Sequence, residues 1–256
     1  MVITFPFRSF HNQNFNIKVC LFFFLPILFN WAIIASLNHI MQFWGYIIQY
    51  GLTTLTTKGS VAYIQYSIFH VNFFVPSMVL SAEIPSTQIS WNTLFLTIVF
   101  FLLSFLMKES YTPVKYYVRA FIIIMWCTLV YFYFEPSSFP YDIALYTKSG
   151  FLQILALLLA TPWIYCLTYY VYGYRLISKI ALTALVLNYL IILAPFQYLL
   201  NAILIHQLSL ILMPALFFFA GLLMNILSIV AFYAYGISMA HRYPKYTQER
   251  ATHARS

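Results

Sequence analysis

The chain has 256 residues, 63% of them hydrophobic and 21% aromatic, with 13 Lys and Arg against only 5 Asp and Glu. A soluble domain carries roughly 45–50% apolar and 25% charged residues, and a fold of this size could not keep so much apolar surface from water. A mean hydropathy of +0.84 therefore places the chain in a bilayer, and because its basic residues are scattered over loop ends, the net charge of +8 reads as membrane anchoring and not as a nucleic-acid surface.

Residues 1–18 carry Arg8 and Lys18 ahead of an apolar run with no small-residue cleavage site after it. That predicts a retained first span at 19–41. Residues 61–80 (VAYIQYSIFHVNFFVPSMVL) are also apolar. Counting them as a span would carry Lys108, Lys115 and Arg119 to the wrong face and leave Gln65, His70 and Asn72 in hydrocarbon. They are read as an interfacial or partly re-entrant element on the outer face.

A membrane helix needs about 20 mostly apolar residues, and further spans are predicted at 90–107, 115–134, 150–172 and 177–199. The stretch 201–238 would, at about 1.5 Å per residue, nearly double the bilayer core. Pro214 supplies a break, giving an outer-face helix at 201–213 and a last span at 214–237; one uninterrupted, tilted helix is the alternative. The basic tail from 240 to 256 (AHRYPKYTQERATHARS) is expected to be disordered beside the inner headgroups.

The expected fold is all-α: a single polytopic helical bundle over 1–256, with six spans and both termini inside. On that plan the inner segments hold Arg8, Lys18, Lys108, Lys115, Arg119, Arg175, Lys179, Arg242, Lys245, Arg250 and Arg255, and the outer ones only Lys58 and Lys148. The expected location is a bacterial inner membrane with cytoplasmic termini. The expected partners are the lipid bilayer and other membrane subunits, with no nucleic acid.

Chemistry is hard to find. Glu83, Glu135 and Asp142 fall in outer loops, Glu109 in an inner loop and Glu249 in the tail. No acidic group lies within a predicted span, which argues against proton-coupled transport and against an intramembrane aspartyl protease. Cys20, Cys127 and Cys166 show no CxxC spacing and read as small hydrophobes. Pairing Cys166 with His206 as nucleophile and base would need two groups from opposite ends of the bundle. The six His form no HExxH, and the seven Gly build neither GxGxxG nor a Walker loop. No cofactor and no metal are expected, and no catalytic residue is assigned.

Two sets of neutral polar residues stand out. Asn188 lies in the fifth predicted span, while Gly221, Asn225 and Ser228 follow i, i+4, i+7 spacing in the sixth and share one face. They read as a helix-packing seam worth about 0.6–2 kcal/mol per polar contact, or as a polar track for a substrate. The second set is Gln197, Asn201, His206 and Gln207, between Pro195 and Pro214. It would form an outer vestibule for a lipid, a glycan carrier or a partner helix.

Three functions follow as expectations. The first is a non-catalytic membrane component of a transport, secretion or envelope-assembly complex. The second is a transporter or permease subunit with a neutral polar path. The third is a membrane enzyme acting on a lipid-linked substrate at the outer face.

Overall fold

The computed structural model describes residues 17–55, 59–68, 71–171, 176–236 and 238. Helices dominate: α1 (Ile17–Ala35), α2 (Leu37–Thr54), α3 (Thr87–Leu106), α4 (Thr112–Phe134), α5 (Ile143–Val171), α6 (Leu176–Leu208) and a last helix, Leu210–Gly236. Between α2 and α3 lie two strands, β1 (Ser60–Ile68) and β2 (Val71–Val79). Five helices are long and apolar enough to cross a membrane, or six if α1 and α2 count as one bent span. Between them, Ser36 turns its hydroxyl back onto the carbonyls of Ala32 (2.7 Å) and Ile33 (3.2 Å), competing with the helix ladder.

Capping residues or proline mark several helix starts. Ser86 Oγ accepts from the Ile89 N–H to cap α3, Pro113 stands in the first turn of α4, and Asp142 Oδ1 accepts from the Leu145 N–H at 2.7 Å to open α5. Each satisfies or removes a backbone donor that a helix start leaves unpaired.

The chain forms two compact units. One comprises residues 38–153 and 193–224. Trp44, Phe151 and Tyr198, all fully buried, pack there in a row: Trp44 stacks on Phe151 with ring centroids 4.9 Å apart, and Phe151 meets the tilted Tyr198 ring at 5.2 Å. In this unit α3 is inverted relative to a soluble helix. It buries Thr97 and Ser104 while Trp91, Phe95, Leu102 and Leu106 stay 60–79% exposed. The hydroxyls meet α4: Trp126 Nε1 donates to Thr97 Oγ1 and Arg119 Nε to Ser104 Oγ, each at 3.0 Å. Polar residues inward and large apolar ones outward suit hydrocarbon surroundings. The other unit comprises 1–37, 154–192 and 225–256. Its core holds Leu158, Val186, Leu190 and Ile229, with the Tyr165 hydroxyl donating to the Ile229 carbonyl at 2.7 Å.

Three expectations change. The fold is not all-α, because residues 61–80 form most of an antiparallel hairpin with Val61 opposite Met78 and Ile68 opposite Val71. Its strands, SVAYIQYSI and VNFFVPSMV, are rich in the β-branched and aromatic residues that suit a pleated surface. Pairing also satisfies amides that a lone interfacial segment would leave open. The separate helix at 201–213 is absent: Asn201–Leu208 continues α6 straight through Pro195, and the chain breaks at Ser209. Pro214 stands instead in the first turn of the helical segment beginning at Met213, where its missing N–H costs nothing. Finally, α5 begins at Ile143, not near 150, because Asp142 caps it. The tail from 240 to 256, together with Arg8, Lys58, His70 and Arg175, lies outside the described residues.

Candidate functional site

Both predicted polar sets reach the interior of the unit built from 38–153 and 193–224, through a cluster where α5, α6 and the last helix meet. Asn201, 2% exposed, donates from Nδ2 to the hydroxyl of Tyr146 on α5 at 3.0 Å. One turn earlier, Gln197 donates from Nε2 to the Gly221 carbonyl at 3.4 Å. The buried ring of Tyr198 lies between Gly150 of α5 and Gly221 of the last helix. A methyl group on Gly150 would overlap that ring, whereas one on Gly221 would meet the Tyr198 hydroxyl at an ordinary 3.4 Å.

The backbone at Gly221 is itself unusual. Leu216–Leu223 is π-helical, a conformation found mostly as short bulges and often at functional positions. The wider turn places the Gly221 carbonyl under the Gln197 amide. Among the described residues, Gln197 Oε1 and the Tyr198 hydroxyl are buried with no hydrogen-bond partner. The cluster is thus neutral throughout. It offers hydroxyls and amides for hydrogen bonding but no carboxylate, imidazole or ammonium for proton transfer.

The rest of the second set lies at the end of α6. His206 Nδ1 is 2.5 Å from the Ser81 carbonyl, and the Leu210 N–H reaches the Glu83 carbonyl at 3.5 Å, so this end is tied to the segment after β2. Gln207 is exposed. The four residues therefore divide: Gln197 and Asn201 point into the interior cluster, His206 binds a loop carbonyl and Gln207 faces outward.

The remaining members of the first set belong to the other unit. Asn188 is exposed and returns its amide to the Ala184 carbonyl of its own helix at 2.8 Å. Asn225 is buried to 1% exposure. Ser228 Oγ lies 3.3 Å from the Tyr189 hydroxyl. Ser228 and Tyr189 also line a mostly apolar groove of about 360 Å³ with Ala231, Phe232 and Tyr235. Asn188 and Asn225 are not joined by a hydrogen bond between them.

Tyr146, Gly150 and Tyr198 did not stand out in the sequence. Tyr146 fell before the expected start of its span, and a tyrosine near a helix end reads first as an interfacial anchor. Gly150 offered a usable signal, since only seven glycines occur in the chain and small residues let helices approach closely. Of the acidic residues, Asp142 caps α5 and Glu135 Oε2 accepts from Ser138 Oγ at 2.9 Å. Among the described residues, no three of His, Cys, Asp and Glu come together as metal ligands would.

These features define a class: a membrane protein of long apolar helices, carrying a β-hairpin and an internal neutral polar cluster. Protein-family models, curated proteins and solved structures show no match to this chain.

Proposed function

We propose that the protein is a multi-pass integral membrane protein, both termini on the inner face, that serves as a non-catalytic component of a transport, secretion or envelope-assembly complex. One observation carries this reading. Two neutral polar contacts of the late helices join one helix to another, Asn201 with Tyr146 and Gln197 with the Gly221 carbonyl. Such bonds are the usual adhesive between membrane helices. The exposed apolar flank of α3, only 11% buried across its span, supports a surface for lipid or neighbouring subunits.

The test has two parts. Purification in mild detergent is expected to retain a stoichiometric membrane subunit, and a monodisperse lone chain in native-like lipid argues against the reading. Cysteines replacing Asn188 and Asn225 are expected to resist water-soluble maleimides in membranes. Labelling of both would favour a permease path instead.

A further inference from the structure

The hairpin leaves one strand edge open, and its register shows which groups line it. Paired residues in an antiparallel ladder alternate between those that exchange hydrogen bonds and those that do not. Tyr63 stands opposite Pro76, which has no N–H, and Val61 opposite Met78. The Met78 N–H leaves the ladder altogether and donates to Thr147 Oγ1 at 3.0 Å. Ala62 and Ser77, between them, hold the ladder bonds, and Ser77 Oγ adds a further bond to the Ala62 carbonyl at 3.2 Å. The N–H and C=O groups of Val61, Tyr63, Gln65 and Ser67 consequently point away from β2. Among the described residues, nothing bonds to them.

Thr147 covers the corresponding edge of β2, at Met78. The β1 edge has no such cover, and Tyr63, Ile64, Gln65 and Ser67 are exposed. Soluble proteins blunt an edge of this kind with lysine, proline or a bulge. β1 has none: its sequence is SVAYIQYSI, and its nine pairs with β2 run without interruption. A row of alternating donors and acceptors is matched by another extended backbone, as in strand addition.

The strand also matches itself. It is uncharged, so no like charges would stand opposite one another. An antiparallel pairing centred on Ile64 sets Tyr63 against Gln65 of the second copy and Val61 against Ser67. Every outward N–H then meets an outward C=O, and the same patch serves both copies, as two-fold symmetry requires. We infer that the free edge of β1 pairs with the same edge of a second copy of this chain about Ile64, joining two hairpins into a four-stranded sheet. This does not rest on the function proposed above, since the register alone defines the edge.

The test is oxidative cross-linking in native membranes. The chain carries Cys20→Ser and Cys127→Ser, the latter removing the exposed thiol among the described residues, and the form without a cysteine at position 64 serves as the blank. Ile64→Cys places two thiols on the symmetry axis at a non-hydrogen-bonded pair, where Cα atoms lie about 4.5 Å apart and a disulfide fits. It is expected to give a band at twice 30.0 kDa. Ser60→Cys should not, because its two copies would lie about 27 Å apart. Gln65→Pro, which removes one edge N–H and leaves the β2 ladder intact, should lower the Ile64→Cys yield at least five-fold. Two-step photobleaching of the tagged wild-type chain is expected independently of any variant. Equal cross-linking at 60 and 64, no cross-link at 64, an adduct of another mass or single-step bleaching would each overturn the pairing.

Discussion

The side-chain amide of Asn201 donates to the hydroxyl of Tyr146 across 3.0 Å, with both residues at most 3% exposed. α5 and α6 are therefore joined by a polar contact in a buried, neutral cluster. Removing one partner strands the other. Asn201→Leu is expected to destabilise by about 1–3 kcal/mol and Tyr146→Phe by less, since phenylalanine leaves only the amide unpaired. The double variant should cost less than the sum, with a coupling of about 0.6–1.7 kcal/mol. Reversible unfolding in mixed micelles, run as a double-mutant cycle, measures it; strict additivity would remove the contact from the account.

Two glycines touch the same tyrosine with opposite tolerance. Gly150→Ala drives a methyl into the buried Tyr198 ring and is expected to cost about 1–3 kcal/mol through overpacking. Gly221→Ala meets only ordinary contacts at 3.4 and 3.6 Å. It should be neutral, or stabilising by up to ~1 kcal/mol as helix entropy is recovered. Thermal midpoints of the two variants, compared in one detergent, decide the matter, and a larger loss at Gly221 would contradict it.

Thr147 holds β2 to α5. Its hydroxyl accepts from the Met78 N–H and donates within its own helix to the Ile143 carbonyl at 2.9 Å. Thr147→Val keeps the shape and leaves the Met78 N–H without an acceptor, a buried loss of about 1–3 kcal/mol. Hydrogen exchange over Val71–Val79 should quicken by about ten-fold or more while exchange in α3 and α4 is unchanged. Uniform acceleration everywhere would mean that the contact is global and not local to the hairpin.

Arg119 fastens α4 to α3 by two means. Its Nε donates to Ser104 Oγ at 3.0 Å, and its guanidinium lies 4.1 Å from the Phe105 ring centroid. Lysine keeps the charge but loses the planar fork and its stacking. Arg119→Lys is therefore expected to lose about 0.5–2 kcal/mol, and Arg119→Ala more, with Ser104→Ala reproducing part of the loss. Equal stability of Arg119→Lys and wild type would show that charge alone matters at this position.

The helices were largely legible because the signal for them is local. Runs such as TQISWNTLFLTIVFFLLSFL declare a membrane-length helix by composition, although its start, capped by Ser86, lies three residues before the expected 90. Gly221 was readable by its size and its spacing to Asn225 and Ser228, but nothing in that pattern pointed to its carbonyl, which receives Gln197. The route to Gln197 was not readable. It was expected in an outer vestibule, and it became interior because α6 runs on to Leu208 without a break at Pro195. Asn188 gave the same sequence signal as Asn201, an asparagine in an apolar run. The two differ only in the face each presents, and Asn188 bonds to its own helix.

The sequence by itself determined the membrane class, the approximate places of most long helices and the scarcity of charge within them, because hydrophobicity and length act residue by residue along the chain. Tertiary structure alone decided that residues 60–79 pair as strands, that Tyr146 meets Asn201 and that the Gly221 carbonyl sits in a π-turn beneath Gln197. Each of these depends on a partner distant in sequence. A backbone or amide hydrogen bond has no preferred partner until the fold brings one within about 3 Å.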